Sequence, residues 1–429
     1  MKRAVFTIVA KNYFGLAEVL GECVKRVNPE VDFHIFIADE VNDDKIVTSI
    51  NQSEFYHHIS KDVLAYTDEL WYNTAFKYNI TEFCTFLKPF CIEYLLNKEY
   101  DKVIYFDPDI YVFSSLEPIF EELNNAFVVV TPHITTLEIN YTGSASQNDL
   151  LATGIYNLGF VAFKKSDNST QLLNWWKSRL QNMCFVDRAD ALFTDQKWMD
   201  FIFSFFDTGI HVSRDLGRNV APWNFHEREI IDDNGTLRVS NRVTKTGDFK
   251  LLFVHYSGVN YRNFKDTNLN LPDLDLNSYP DIVEIFKIYE KQVTKGRVAD
   301  FLNFTYTYNY FDNGVEILHL HRRLFRRALL NKVTFPNPFQ SASQNTYYKK
   351  LLKQKLVDSF FIKNELDKMK KDTYGDYYKK VKYINKVFYI FNRILGFKKY
   401  YMLSKFFIKY FKPENQYFLL NKNDVSKTL

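Results

Sequence analysis

Short apolar runs alternate with amphipathic stretches over the first 130 residues, and this alternation constrains the fold more than any other feature of the sequence. The apolar runs are β-branched or aromatic and predict buried strands at 5–10, 33–38, 103–106 and 127–130. Between them, apolar residues recur at helical spacing, which predicts helices at 14–27 and 81–96. Strands separated by helices imply right-handed crossovers, so we expect an α/β fold whose mostly parallel mixed sheet is flanked by helices.

A second block continues this pattern with longer irregular stretches. Its predicted strands lie at 159–163 and 251–254, and its predicted helices at 169–180 and 194–206. From about residue 271 the sequence predicts helices with little strand character. The chain should therefore consist of an α/β domain at 1–270 and a helical, basic and aromatic C-terminal region at 271–429. In such sheets ligands bind beyond the carboxyl ends of the strands, so the polar residues that follow each strand are the candidates for function.

The formal net charge of +4 hides an asymmetry along the chain. Residues 316–429 hold 25 Lys and Arg but 8 Asp and Glu, whereas the other 315 residues hold 30 basic and 43 acidic side chains. An acidic body with a basic tail indicates that the tail meets an anionic partner. The four cysteines form neither a CxxC pair nor a zinc-type cluster with histidine, which favours core thiols in a reducing cytosol.

The sharpest chemical signal is Asp107-Pro108-Asp109, directly after the predicted strand 103–106. Two carboxylates at a strand end can share one hard divalent cation, and Mg²⁺ or Mn²⁺ typically takes one or two carboxylates together with substrate phosphates. A metal ion held there would neutralise a diphosphate and make it a better leaving group. The alternative is a solvated turn, because Asp and Pro both favour turns.

The stretch 81–113, which runs from the predicted helix through this strand and past both aspartates, resembles the helix–strand–DxD segment of GT-A-fold glycosyltransferases. It is most similar to family 8, the glycogenin-like and lipopolysaccharide glucosyl- and galactosyltransferases. Further motifs similar to the family's occur in its order: Asn12-Tyr13, Tyr156-Asn157-Leu158-Gly159, Thr194-Asp195-Gln196 and His255-Tyr256-Ser257-Gly258. The resemblance covers about residues 4–262. It implies a GT-A-like sheet with a nucleotide-sugar half at about 1–130 and an acceptor half at about 131–270.

The resemblance also implies a role for each matching residue. The metal ligands would be Asp107, Asp109 and His255, and an imidazole beside two carboxylates suits Mn²⁺ better than Mg²⁺. The residues that bind the nucleotide-sugar donor would be Asn12, Tyr13, Lys88, Asp107 and Arg262. The catalytic residues would be Asn157, Asp195 and Gln196.

The resemblance also implies that catalysis retains the anomeric configuration. Because an amide carries no charge with which to attack the sugar, Gln196 is a poor nucleophile. We therefore expect front-face transfer, in which a leaving phosphate oxygen takes the proton of the acceptor. Gln196 and Asn157 would position and shield the cation-like centre, and Asp195 would bind sugar hydroxyls.

Several of these residues have a simpler alternative role. Lys88 is equally compatible with an ordinary solvated helix lysine, and Asn157 with a turn cap. Capping of the predicted helix 194–206 would by itself account for Thr194 and Asp195, although it would leave Gln196 unexplained.

The sequence departs from the family pattern at two places. Ala10-Lys11 stands where the family often has acidic residues that read uracil, which leaves the UDP assignment open. Arg262 stands one residue later than a family lysine that grips phosphate. Elsewhere, Trp223 in the polar stretch 214–226 suits sugar stacking, with a buried structural tryptophan as the equal alternative.

The basic tail predicts contact with an anionic membrane surface. It contains the run HRRLFRR at 321–327 and a lysine-striped aromatic segment after residue 400. Basic helices with aromatic faces bind anionic bilayers, whereas a solvated extension packed on the body is the alternative. Nucleic acid is not expected, because no binding motif for it is present and the acidic body would repel phosphate backbones.

We therefore expect a metal-dependent glycosyltransferase that moves a hexose from a nucleotide sugar, a UDP-sugar, to a glycan or lipid-linked acceptor in surface polysaccharide biosynthesis. It would be cytoplasmic and peripheral at the inner membrane face, reached through residues 316–429. The rival functions are a metal-dependent nucleotide-sugar phosphohydrolase and a non-catalytic adaptor that binds membranes or polyanions.

Overall fold

The computed structural model describes residues 1–264, 276–357, 367 and 376–422, which fall into two compact units. The first unit comprises 1–66 and 80–307, and the second comprises 67–79 and the residues from 308 onward. The sequence had placed its boundary near residue 270, which lies outside the described residues. The first unit continues to 307 because the helix Pro280–Lys295 packs its apolar side, including Ile282 and Phe286, into the first unit's core.

The fourteen described strands all lie in the first 255 residues. They are β1 (Arg3–Val9), β2 (Asp32–Ile37), β3 (Tyr56–Ile59), β4 (Lys102–Phe106), β5 (Ile110–Val112), β6 (Val128–Pro132), β7 (Tyr156–Lys164), β8 (Val186–Asp187), β9 (Leu192–Phe193), β10 (Ile210–Val212), β11 (Arg228–Asp233), β12 (Thr236–Asn241), β13 (Phe249–Lys250) and β14 (Phe253–His255). The six predicted strands correspond to β1, β2, β4, β6, β7 and β14.

Helices connect these strands and make up most of the second unit. They are α1 (Phe14–Val27), α2 (Asp44–Asn51), α3 (Ser60–Val63), α4 (Asp68–Lys77), α5 (Ile80–Asn97), α6 (Glu117–Asn125), α7 (Gln147–Thr153), α8 (Asp167–Met183), α9 (Ile202–Phe205), α10 (Pro280–Lys295), α11 (Val298–Phe301), α12 (His319–Leu330), α13 (Tyr347–Lys353), α14 (Tyr377–Leu395) and α15 (Phe397–Tyr410). Among the described helices, none is long and apolar enough to cross a membrane.

A seven-stranded mixed sheet organises the first unit, in the order β10-β6-β7-β4-β1-β2-β3. β1 runs parallel to β2 and β4, β2 runs parallel to β3, and β10 runs parallel to β6. β7 is antiparallel to both of its neighbours, β4 and β6. The expected α/β fold with a mostly parallel mixed sheet between helices is therefore confirmed.

The strands that position the functional residues are buried along their whole length. All five residues of β4 are buried, as are the three of β5 and the three of β14, which explains their uninterrupted apolar character. β14 pairs antiparallel with β5, and this pairing sets His255 opposite Ile110. The backbone N–H of Tyr256 also donates to the carbonyl of Asp109 at 2.9 Å. The fold thus brings a distant histidine to the turn after β4.

The second unit has an aromatic core of its own. The ring of Phe76 in α4 contacts four other rings from the later part of the chain, those of Phe311, Phe325, Phe339 and Tyr347. The segment 67–79 therefore belongs to this unit although it lies among first-unit residues in the sequence.

The arginine run of α12 is a structural part of the second unit. Arg322 is buried and donates to the carbonyls of Phe76 at 2.9 Å, Tyr78 at 2.7 Å and Tyr308 at 2.7 Å. Arg323 is buried as well. The expectation that the whole region 316–429 presents basic side chains to an anionic surface is therefore wrong for this run. Arg322 donates to backbone carbonyls inside the unit, and Arg323 and Arg326 pair with Glu414.

Candidate active site

Three potential metal ligands meet at the carboxyl end of β4. Asp107 and Asp109 occupy the turn between β4 and β5, and His255 ends β14. The Nε2 atom of His255 lies 3.1 Å from Oδ1 of Asp109 and 3.9 Å from Oδ2 of Asp107. One ligand atom from each of the three residues lies within 4.8 Å of the others. A single cation could therefore contact all three side chains.

Electrostatics at this cluster favour a positive charge. Burial and the neighbouring Asp109 raise the pKa of Asp107, opposed by Lys88 and His255. Burial lowers the pKa of His255, but Asp109 and Asp107 outweigh it and leave that pKa raised. The two carboxylates and the imidazole provide the oxygen and nitrogen ligands that Mn²⁺ accepts.

The surroundings of His255 orient its ring for metal binding. Its Nδ1 lies 3.3 Å from Oδ1 of Asn157, an atom that can only accept a hydrogen bond. The Nδ1–H therefore donates to the amide, which leaves the lone pair of Nε2 facing the aspartates. Gly159 in β7 leaves room for the imidazole, since a Cβ atom there would come within 2.6 Å of Nδ1. The residues present thus fit a divalent cation.

Lys88 and Asp195 form a buried ion pair that lines one cavity together with the three potential metal ligands. Nζ of Lys88 lies 2.6 Å from Oδ2 of Asp195, and the two side chains are 1% and 2% exposed. Lys88 also donates to the carbonyl of Leu158 at 2.7 Å and lies 4.3 Å from the centroid of the Tyr105 ring. Lys88 is therefore not the solvated helix lysine that the sequence allowed as an alternative.

The helix-capping alternative for Thr194 and Asp195 is not what the structure shows. The predicted helix 194–206 is a 3₁₀ helix at Gln196–Phe201 followed by the short α9. Thr194 has a φ of 45°, and the side chain of Asp195 makes no capping hydrogen bond. The Asp195 carboxylate is drawn to Lys88 instead, so it is held at the cavity rather than at the helix end.

Gln196 and Asn157 lie side by side in this cavity. Oε1 of Gln196 accepts from the N–H of Leu158 at 3.0 Å, and its Nε2 donates to the carbonyl of Thr153 at 3.0 Å. Nδ2 of Asn157 lies 3.4 Å from Oε1 of Gln196. Both amides are therefore held in fixed orientations. Asn157 links Gln196 to His255, which joins the predicted catalytic residues to the predicted metal ligands.

A cavity of about 410 Å³ contains both groups of residues. Its lining includes Lys88, Asp107, Asp109, Asn157, Asp195, Gln196 and His255, together with Trp223. The Trp223 ring lies edge-on to His255, with centroids 5.2 Å apart. Its buried Nε1 has no hydrogen-bond partner among the described residues. A buried donor without a partner usually indicates a ligand or a water molecule.

The other residues predicted to bind the nucleotide-sugar donor lie outside the lining of that cavity. Tyr13 is close enough for Asp109 to act on it, because burial and then the Asp109 charge raise its pKa. The buried Oδ1 of Asn12 has no hydrogen-bond partner among the described residues. Arg262 is exposed, donates to the carbonyl of Leu302 at 2.9 Å, and lines a separate cavity of about 370 Å³.

His133 is a cavity residue that the sequence reasoning missed. Its Nε2 lies 3.4 Å from Nδ2 of Asn157, and its ring lies 5.4 Å from that of Trp223. Burial lowers its pKa to about 4, so it is a neutral imidazole near pH 7. His133 directly follows β6. The rule that polar residues after strands are candidates for function would have found it.

Comparisons with known proteins identify similar sequences. Residues 4–185 match the sequence model described as glycosyl transferase family 8. The Bacillus subtilis (strain 168) protein YfnF, itself described as uncharacterized, is 24% identical over 262 residues, which are 60% of this chain and 82% of YfnF. YfnD from the same organism is 27% identical over 193 residues, covering 44% of this chain and 57% of YfnD.

Solved structures of glycosyltransferases also align with the chain. The galactosyltransferase LgtC, in complex with donor and acceptor sugar analogues, aligns at 17% identity over 68% of this chain and 96% of LgtC, with a TM-score of 0.40. The apo form of GlyE from Streptococcus pneumoniae TIGR4 aligns at 13% identity over 83% of each chain, with a TM-score of 0.39.

The match to the family confirms, over residues 4–185, the resemblance that the motifs predicted. The chain is a glycosyltransferase, and its residues 4–185 are similar to glycosyl transferase family 8.

Proposed function

We propose that this glycosyltransferase is a metal-dependent, retaining hexosyltransferase that uses a nucleotide sugar, a UDP-sugar, as donor. The observation that carries the proposal is the convergence of Asp107, Asp109 and His255 in one cavity with Asn157 and Gln196. The acceptor is a glycan or a lipid-linked sugar, and the product contributes to a surface polysaccharide.

Asp107, Asp109 and His255 hold the cation, which is Mn²⁺ or, less favourably, Mg²⁺. When bound, the cation supplies charge that neutralises the donor diphosphate and stabilises it as a leaving group. Asn157 keeps the His255 ring in the tautomer that presents Nε2. The protein thereby prepares the three ligands before the donor arrives.

The other cavity residues act on the sugar and its phosphates. Lys88 adds a positive charge beside the cavity, and its ion pair with Asp195 holds that carboxylate in place for contact with sugar hydroxyls. The amide of Gln196, fixed at both ends, stands where it positions the sugar without attacking it. Trp223 offers a ring face for stacking and an unpartnered N–H for a hydroxyl or phosphate oxygen.

The nucleotide end of the donor is assigned to Asn12, Tyr13 and Arg262. The unpartnered Oδ1 of Asn12 supports a hydrogen bond to the nucleoside. Lys11, which replaces a family acid, is tied by its Nζ to the carbonyl of Glu40 at 3.0 Å and to Oγ1 of Thr307 at 2.6 Å. A thermal-shift screen of UDP, GDP, CDP and dTDP sugars with Mn²⁺ identifies the nucleotide, since a bound ligand raises the unfolding temperature.

Replacing a metal ligand tests the site directly. Asp107→Ala should abolish sugar transfer and reduce Mn²⁺ affinity, because the cation loses one of its two carboxylates. The matched control is Asp207→Ala, which removes an exposed aspartate. Circular dichroism checks that both variants fold. Transfer by Asp107→Ala at the wild-type rate would show that the metal site is wrongly assigned.

The rival functions differ in what happens to the sugar. A phosphohydrolase would cleave the donor at the same rate with or without acceptor and would form no glycoside. The assembled metal cluster speaks against a non-catalytic adaptor, for which three converging ligands would serve no purpose. Product analysis with and without a panel of glycan acceptors separates transfer from hydrolysis.

The place of the reaction is also part of the proposal. We place the enzyme at the cytoplasmic face of an anionic membrane, where a glycan or lipid-linked acceptor is presented. The excess of basic over acidic residues in 316–429 supports this location.

A further inference from the structure

The helices α14 and α15 expose an unusual amount of apolar surface. Among the side chains that the structure describes in these two helices, none is buried. Fifteen large apolar side chains between 378 and 411 are exposed, and Ile394, Phe397 and Ile408 are 74%, 72% and 78% exposed. A contiguous apolar patch on a soluble surface usually marks a contact with a partner or a membrane.

The same segment carries only positive charge. Residues 377–412 contain ten Lys and Arg residues and no Asp or Glu. In the rest of the chain, by contrast, acidic residues outnumber basic ones. The charge therefore restricts what can cover the apolar surface to an anionic partner.

Both helices separate these two kinds of side chain. In α14 the basic residues Lys382, Lys386 and Arg393 fall on one side, since their spacings of four and seven residues match one and two turns of a helix. The apolar residues of the other side follow the spacing i, i+3, i+7, i+10 and i+14, and they are Val381, Ile384, Phe388, Phe391 and Leu395. α15 repeats the arrangement with Lys398 and Lys405.

The two helices pack on each other as a hairpin and leave much of the apolar surface uncovered. Gly396, with a φ of 74°, separates them, and the rings of Phe388 and Tyr400 lie 6.4 Å apart across the pair. A hairpin of two amphipathic helices with one shared charge sign can lie in the plane of a bilayer. Its apolar side then enters the acyl region while its lysines extend to the head groups.

We infer that α14 and α15 form a hairpin that docks on the anionic lipid surface of a membrane. This inference deepens the membrane location proposed above by assigning the contact to 377–412 and excluding the buried arginines of α12. A second copy of the chain is a poorer occupant, because ten positive charges on each hairpin would repel each other. The inference needs neither donor nor metal, so it stands or falls separately from the proposed chemistry.

Vesicle flotation with the full chain tests the docking. Vesicles of phosphatidylglycerol mixed with phosphatidylcholine should bind the protein, vesicles of phosphatidylcholine alone should bind it much less, and added salt should weaken binding. One variant combines Ile384→Ser, Phe397→Ser and Ile408→Ser, and a second combines Lys382→Gln, Lys386→Gln, Lys398→Gln and Lys399→Gln. Each should weaken binding by at least about tenfold.

The control variants make the same kinds of change in the first unit. Ile231→Ser combined with Val243→Ser removes exposed apolar groups, and Lys45→Gln combined with Lys165→Gln removes exposed charges. Both should bind vesicles like the wild type. Wild-type protein that ignores anionic vesicles, or hairpin variants that bind as the wild type does, would overturn the docking. Loss of a dimer in the serine variant, without any vesicle binding, would assign the surface to self-association instead.

Discussion

At the residue scale, the proposed metal site depends on the absence of one side chain. Gly159 lies in β7 beside the imidazole of His255. The backbone carbonyl of Gly159 accepts from the N–H of Asp107 at 2.8 Å. A Cβ atom at 159 would overlap Cε1 and Nδ1 of the imidazole. The ring could avoid the overlap only by moving away from the two aspartates.

We therefore expect Gly159→Ala to separate metal binding from folding. The variant should bind Mn²⁺ at least about tenfold more weakly, because losses of that size follow when groups that orient a metal ligand are altered. Isothermal titration with Mn²⁺ measures the affinity, and far-ultraviolet circular dichroism reports the fold. The control is Gly235→Ala, where a Cβ meets nothing within 4 Å, although its φ of 85° adds some backbone strain. Unchanged Mn²⁺ affinity in Gly159→Ala would contradict the geometry described for His255.

The ion pair between Lys88 and Asp195 affects the stability of the fold as well as the chemistry of the cavity. Both side chains are almost fully buried, so each depends on the other for compensation of its charge. Removal of one partner leaves an isolated buried charge, whereas removal of both does not.

Lys88→Met should lower the free energy of unfolding by roughly 3–5 kcal/mol, and the double variant Lys88→Met/Asp195→Leu should recover part of that loss. Urea unfolding of the wild type, both single variants and the double variant gives the coupling energy. Lys287→Met breaks an exposed pair with Glu284 and should change stability by less than about 0.5 kcal/mol. Additive losses in the double variant would mean that the two residues are not paired.

At the element scale, the edge formed by β2, β3 and the residues after α5 contains a buried chain of hydrogen bonds. Tyr100 donates to Oδ2 of Asp32 at 2.9 Å, so its oxygen accepts from Nε2 of His34 at 2.8 Å. Nδ1 of His34 then accepts from Nε2 of His58, 3.0 Å away. Both histidines are neutral in this arrangement. The pairing of β2 with β3, with His34 opposite Tyr56, brings the two imidazole rings together.

Burial, followed by the neighbouring His58, lowers the pKa of His34 to about 3. Burial, followed by His57, lowers the pKa of His58 to about 4. An unfolded histidine has a pKa near 6.5, so below that pH the unfolded chain binds protons that the folded chain does not. The stability of the fold therefore falls as the pH drops from about 6.5 towards these lowered values.

His34→Phe should reduce this pH dependence. Between pH 7 and pH 5 the wild type should lose up to about 2 kcal/mol more than the variant, the amount expected from one histidine that stays neutral. Urea unfolding at the two pH values measures the difference. Tyr56→Phe changes the same edge without removing an imidazole and should keep the wild-type dependence. An identical loss in wild type and His34→Phe would show that His34 is protonated in the folded protein.

At the scale of the whole molecule, we expect the fold not to depend on the proposed metal ion. The ligands stand at the ends of β4 and β14, which are held by backbone hydrogen bonds and by a buried apolar core. Burial lowers the pKa of His255, but Asp109 and Asp107 outweigh burial and leave that pKa raised. Without a cation, His255 can therefore carry a proton that offsets part of the carboxylate charge. The site is therefore prepared by the protein rather than folded around the ion.

Removal of metal with EDTA should accordingly abolish sugar transfer without unfolding the protein. Near-ultraviolet circular dichroism should stay as in the untreated protein, and addition of Mn²⁺ should restore transfer. Zn-finger-like behaviour, in which the chelator unfolds the chain, would contradict a preformed site. Full activity in EDTA would contradict metal dependence itself.

The division into two units shows a limit of reading the chain in order. The sequence placed one boundary near 270, whereas the structure assigns 67–79 to the second unit. In that unit Nδ2 of Asn73 donates to the carbonyl of Phe335 at 2.7 Å, and Nε1 of Trp71 donates to the hydroxyl of Tyr308 at 2.7 Å. Contacts over more than 230 positions leave no local pattern in the sequence.

The sequence alone determined the parts of this protein that depend on neighbours along the chain. The apolar periodicity predicted α1 at its observed bounds, and the order of strand and helix signals predicted the mixed sheet. The pair Asp107 and Asp109 was recognisable because two residues after a strand need no long-range contact to lie together. The motifs in order predicted the similarity to glycosyl transferase family 8 that residues 4–185 show.

Only the tertiary structure decided how distant groups meet. It placed His255 opposite Ile110 by pairing β14 with β5, and it paired Lys88 with Asp195 instead of leaving the lysine in solvent. It also buried Arg322 of α12 and exposed α14 and α15, although all three helices are basic in sequence. Strand pairing and the cost of burying an unpaired charge act between residues far apart in the chain, so neither can be read from local composition.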